Sequence, residues 1–175
     1  SEKETVLEDI RRMSKEDNEK NERIVERARR ILEKIEEKNR RVKEEAKKML
    51  ERIKKLVKDR GPDKDLKREL EEVVKTLEEL HKRLIDELRR VVEEVERLVR
   101  ESIKENRKVL KDAADRVGED RVVDEVRKRS EEDERRSREL LEEVRRAVKR
   151  VEDKSRTTVR EIRERVKEVK KRLDD

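Results

Sequence analysis

The chain has no cysteine and no aromatic residue, and it carries one proline and two glycines in 175 residues. Without cysteine there is neither a disulfide framework nor a thiolate metal site, and nothing is indicated about redox compartment. Without Phe, Tyr or Trp there is no platform on which a nucleic-acid base could stack. His81 is the single histidine, so a zinc or haem site built on a pair of histidines is excluded. No apolar run approaches the length of a signal-peptide core or a membrane span. The expectation is a soluble chain with no targeting signal and no membrane partner, and its localisation stays unread.

What is abundant is charge. With 61% charged and 29% hydrophobic residues, composition alone would suit a disordered polyampholyte. The net charge of +6 is the small difference between 56 basic and 50 acidic side chains, and it is unevenly placed. Residues 40–60 carry ten basic and four acidic groups, residues 155–175 carry eight and five, and residues 63–83 carry six and seven. In an up-down-up chain these segments share one end. Lys and Arg near helix C-termini offset the negative end of the macrodipole, which accounts for such an excess without a ligand. With neither aromatics nor a basic stripe free of acids, no specific nucleic acid is expected as a partner.

The glycines and the proline divide the chain into thirds. Asp59-Arg60-Gly61-Pro62-Asp63 supplies a glycine for a left-handed helix end, a proline that cannot continue the helix, and an aspartate to cap the next one. Val117-Gly118-Glu119-Asp120 repeats the pattern without proline, and Ser1 with Glu4 resembles a capping box. The spacing predicts helices near 2–59, 63–117 and 120–174, joined by loops near 59–63 and 117–120, each helix about 80 Å long at 1.5 Å per residue. Short loops make neighbours antiparallel. The predicted fold is all-α: one single-chain, up-down-up three-helix bundle over residues 1–175.

Within each third the apolar residues recur every 18 positions, which is five turns. Val6, Ile24 and Val42 align in the first third, as do Met13, Ile31 and Met49, and Ile10, Ala28 and Ala46. Val73, Val91 and Val109 align in the second, and Val126, Val144 and Ile162 in the third. A strict seven-residue repeat would impose a left-handed supercoil, whereas this period keeps the stripe on one face of a nearly straight helix. A three-helix core needs about 45 to 50 inward positions, and 29% of the chain supplies about that number. Met13 and Met49 are read as core fillers, leaving little apolar surface for a partner.

Small polar residues interrupt the stripe. Ser14 is in register with Leu32 and Leu50, Asp17 with Ile35 and Ile53, and Asn21 and Asn39 with Val57. Ser102 aligns with Leu66 and Leu84, Asn106 with Leu70 and Leu88, Ser130 with Val148, Asp133 with Val151, and Ser137 with Ser155. Folding the chain back at its loops brings Ser14, Asp17, Asn21, Ser102, Asn106, Ser130, Asp133 and Ser137 to one level. Asn39, His81, Ser155 and Thr158 fall at a second. Isolated buried polar groups cost on the order of 1 to 3 kcal/mol each, whereas clustered ones satisfy one another and fix register. Both levels are therefore read as structural hydrogen-bond layers.

Sharper chemistry fits less well. Asp17 and Asp133 are an acid/base or hard-metal pair only on paper, since no third carboxylate, nucleophile or cleft-forming insertion accompanies them. Glu78-Glu79-Leu80-His81 has the Glu-x-x-His spacing of di-iron bundles, but that motif needs a second copy and two further glutamates. No catalytic, cofactor-binding or metal residue is expected, and the chain is not read as an enzyme.

These features together resemble the computationally designed helical bundles with buried hydrogen-bond networks. The resemblance covers the whole chain and rests on the repeat, the Gly-Pro-Asp loop, the charge at helix ends, and surfaces almost wholly of Glu, Lys, Arg and Asp. Spectrin-type repeats are less similar, since they carry core tryptophans and irregular loops. Because the three helices differ in sequence, the resemblance implies a monomeric scaffold without cofactor or obligatory partner. The alternative it leaves open is a protein-binding module or switch component that pairs with a partner helix or subunit.

Overall fold

The computed structural model describes residues 2–61, 63–118 and 120–174, and the side chains of all of these but 2, 3, 117 and 120–123. The roles read for Ser1 and Pro62 lie outside the described residues, and that of Asp120 rests on a side chain that is outside them. Three helices occupy the chain: α1 (Glu2–Arg60), α2 (Lys64–Val117) and α3 (Asp120–Asp174). Among the described residues there is no strand.

Their ends follow from local chemistry. Gly61 has φ 78° and Gly118 φ 65°, a left-handed conformation that costs any residue with a Cβ roughly 1–2 kcal/mol. The Gly61 N–H donates to the Val57 carbonyl at 2.9 Å and the Gly118 N–H to that of Ala114 at 3.1 Å, closing the last turn of α1 and of α2. A Cβ at either glycine would meet nothing within 4 Å, so it is the backbone conformation, not space, that selects glycine. Asp63 stands just outside α2, where its Oδ1 accepts from the Asp65 N–H at 3.1 Å. That is the N-cap geometry, and it starts α2 one residue after the cap.

The chain divides into two compact units, Ser1–Ile31 with Arg90–Ala147 (unit 1), and Leu32–Arg89 with Val148–Asp175 (unit 2). Each contains a segment of all three helices. In unit 1, Arg107 pairs with Glu134 and Arg145 with Glu96, so α2 runs antiparallel to α3. In unit 2 the pairs Lys67–Asp174, Lys170–Glu71 and Arg163–Glu78 do the same. Lys154–Glu36 and Lys43–Glu161 set α1 parallel to α3 there.

The two cores differ in substance. Unit 2 buries a continuous cluster that includes Leu50, Ile53, Leu66, Leu70, Leu77 and Ile162. Unit 1 has a smaller one of Val6, Ile10, Leu110 and Val126, with Leu7 and Ala113 against it. Its other buried apolar residues, among those described, are Ala28 and valines such as Val25, Val95 and Val144.

One expectation about the core is corrected. Met49 is 47% exposed and Ile31 39%, so the stripe they share with Met13 is an edge and not a filled interior row. The 18-residue period preserves direction along a helix but does not say how far that direction lies from the centre of the buried face. Beside Met49 the surface continues into Arg52, Asp65, Arg68, Glu69 and Glu72, leaving it at a charged rim.

Candidate functional site

The first polar level falls entirely within unit 1. Ser14, Asn21, Ser102, Asp133 and Ser137 are buried, and Asp17 and Asn106 half-buried. Ser14 Oγ donates to Asp133, lying 2.9 Å from both carboxylate oxygens. Asn21 Nδ2 donates to Ser137 Oγ at 2.9 Å. Asp17 receives Ser102 Oγ on Oδ1 and Asn106 Nδ2 on Oδ2, the latter at 2.9 Å. Thus α1 reaches α3 through Ser14 and Asn21, and α2 through Asp17. Ser130 is half-buried and joins none of these bonds.

The electrostatics of the level are those of two carboxylates served by neutral donors. Burial holds the Asp133 carboxyl above its ordinary range, and the negative charge of Asp17 pushes the same way. The Ser14 hydroxyl, Arg129 and Arg136 oppose these effects. At the rim, Arg107 grips Glu134 with two nitrogens, Nη2 at 2.9 Å, and this bond lowers the Glu134 pKa.

Two buried atoms of unit 1, Asn21 Oδ1 and Arg129 Nε, have no hydrogen-bond partner among the described residues. Each such atom costs on the order of 1–3 kcal/mol if no water reaches it. Arg129 escaped the sequence reading. The signal was there: Leu140 and Ala147, 11 and 18 residues on, mark the same half-buried edge of α3.

The second level falls within unit 2 and is sparser. His81 Nδ1 lies 2.7 Å from Ser155 Oγ, linking α2 to α3. Thr158 is buried but turns its hydroxyl onto its own helix, donating to the Lys154 carbonyl at 2.9 Å. Asn39 is half-buried and faces an open cleft of about 570 Å³ that Thr157 and Thr158 also line, without a side-chain hydrogen bond among the described residues. Burial lowers the His81 pKa from 6.5, Arg156 and Arg163 lower it further, and Glu152 opposes them.

Chemically, most groups of both levels are engaged with one another or with the backbone, Ser130 and Asn39 excepted. Among the described residues no set of three or more His, Asp and Glu side chains converges to hold a metal ion. No helix is long and apolar enough to cross a membrane, among the same residues.

No protein-family model matches the sequence, and no curated protein matches it. Among solved structures, a "Computationally designed three helix bundle" is similar to 98% of this chain and 83% of its own, with 17% identity and a TM-score of 0.44.

Proposed function

We propose that the chain is a designed structural scaffold over residues 1–175, without natural biochemical activity, whose polar layers specify how its helices register. The observation that carries this reading is that every bond of the unit 1 level joins two different helices. Its partners are 85 to 119 residues apart in sequence. Sliding one helix by a turn would move Ser14 away from Asp133 and Asp17 away from Ser102 and Asn106, stranding two buried or half-buried carboxylates. An apolar stripe penalises the same slip weakly, because one aliphatic side chain replaces another. Buried polar groups as devices of register are the best-attested use of such groups.

The reading assigns no reaction to Asp17 and Asp133. Each is occupied by hydroxyl or amide donors from a neighbouring helix.

The test measures uniqueness rather than stability. Spin labels at exposed Glu8 and Lys128 report the α1–α3 distance within unit 1. In the parent the distance distribution is expected to be single and narrow. Replacing the level by the apolar residues found 18 positions away (Ser14→Leu, Asp17→Ile, Ser102→Leu, Asn106→Leu, Asp133→Val), together with Asn21→Val and Ser137→Val, should broaden or split it. A distribution as narrow as the parent's would refute the role in register.

A further inference from the structure

The charge of this chain belongs to one unit. Unit 1 carries 26 basic and 27 acidic residues, net −1, whereas unit 2 carries 30 and 23, net +7. Helix-end electrostatics account for only part of this, Lys58 and Arg60 of α1 and Lys171 and Arg172 of α3, because the macrodipole acts only over the last turn of a helix. In α1 the excess begins at Arg40, five turns earlier, and residues 40–56 alone hold eight basic and three acidic groups.

Part of the excess is aligned. The contacts Lys43–Glu161 and Lys154–Glu36 mark the flank along which α1 and α3 of unit 2 meet. On α1, Lys47 and Lys58 lie four and fifteen positions after Lys43, hence on nearly the same side of the helix. On α3, Arg165 and Arg172 lie four and eleven positions after Glu161, again on one side. None of these four cations has an ion pair among the described residues. The acids of the flank are Glu36, Glu161 and Glu51, held by Lys154, Lys43 and Lys54, Glu33, Glu37 and Asp153 in the cleft beside Lys43 and Lys154, and Glu168. From Lys43 to Lys58 the row is about 22 Å long at 1.5 Å per residue.

We infer that this α1/α3 flank of unit 2 binds the phosphate backbone of duplex nucleic acid without reading its sequence. A straight row of cations on a rigid helix matches a rod that carries one negative charge per about 1.7 Å of its axis. Single strands are held largely by stacking on aromatic rings, and this chain has none. An anionic bilayer is the poorer fit, since interfacial binding draws on an exposed apolar face beside the charge, and the flank offers none.

The experiment is fluorescence anisotropy of a labelled 20-base-pair DNA of mixed sequence, titrated with the full chain at several salt concentrations. Four phosphate contacts give a slope of log K against log[salt] of about −3.6, or roughly a 150-fold loss of affinity between 50 and 200 mM salt. The variant Lys47→Gln, Lys58→Gln, Arg165→Gln and Arg172→Gln should lose this binding. Arg172→Gln alone should flatten the slope by about 1. A charge-matched variant of unit 1, with Lys20, Arg23, Lys104 and Lys108 each changed to Gln, should bind as the parent does. Circular dichroism establishes that all three variants keep the parent's helix content. The assignment is overturned if the two fourfold variants weaken binding equally, which would make net charge the cause. It is overturned as well if the parent does not bind the duplex at 50 mM salt, or binds phosphatidylserine vesicles and not the duplex.

Discussion

Unit 1 and unit 2 are built from the same three helices and the same repeat, yet they hold together differently. Unit 2 buries leucines and isoleucines, with Leu70 and Ile162 at 0% exposure, and among the described residues its polar level has one bond between helices, joining His81 and Ser155. Unit 1 buries mainly valine, and its bonds between helices run through Ser14, Asp17, Asn21 and their partners. Apolar contacts are strong and tolerant of sliding, while hydrogen bonds are weak in net terms and intolerant of it. On the proposed function, the chain separates cohesion from specification along its length.

The largest expected effect breaks the cohesive side. Leu70→Ala in unit 2 should destabilise by about 2–5 kcal/mol through lost transfer energy and the cavity left behind. Leu110→Ala in unit 1, where the neighbours are smaller and the residue lies nearer the surface, should fall at the lower end of that range. Urea denaturation of both variants checks the order, and a larger loss at Leu110 would reverse the comparison.

Next in size are the polar levels. Ser102→Ala removes a donor from the Asp17 carboxylate and should cost about 1–3 kcal/mol. Thr158→Val keeps volume and takes a hydroxyl from a carbonyl that sits within its own helix. It should therefore shift stability by no more than about 0.5 kcal/mol, since no buried partner is stranded. Equal losses in the two variants would mean that the level in unit 2 is as demanding as that in unit 1.

The smallest effects are in pH dependence, and the two units should respond with opposite sign. The folded-state pKa of His81 is lowered from 6.5, so on acidification the unfolded chain binds the proton first. Stability is lost from about pH 6.5 downward until folded His81 also protonates. The Asp133 carboxyl is raised from 3.8, so the folded chain binds that proton first. Stability is gained as pH falls through its folded pKa toward about 3.8, or equivalently lost as pH rises through it. His81→Gln should flatten the denaturation midpoint between pH 7 and 5, whereas Asp133→Asn should remove a contribution of opposite slope at lower pH. A histidine resonance that titrates at or above 6.5 by NMR would contradict the burial of His81.

Much of this organisation was legible in the sequence because it is local or periodic. Gly61, Gly118 and Asp63 announce helix ends through backbone conformation and capping, which need only neighbouring residues. The 18-residue period marks inward positions because five turns return a side chain to the same direction. Pairing is another matter. Folding the chain at Gly61 places Ser14 opposite the region near residue 108 on α2, but its hydroxyl goes to Asp133 on α3. The fold-back fixes height along the axis, whereas the partner depends on which flank of the stripe a side chain occupies. The same missing coordinate explains Met49, inward by period and exposed by angle. It also explains Thr158 and Asn39, which reach the expected level but do not meet a side-chain partner there.

If the unit 1 level specifies more than it stabilises, a single and a complete replacement within it should move the denaturation midpoint in different ways. Asn106→Leu alone leaves Asp17 Oδ2 without its amide donor and should lower the midpoint, by about 1–3 kcal/mol in stability. Replacing the entire level with apolar residues strands nothing, and should leave the midpoint unchanged or raise it. Opposite responses of the single and the complete replacement are the predicted result. Losses of the same sign and similar size from both would show that these hydrogen bonds act as ordinary cohesion, and would contradict the division of labour between the two units.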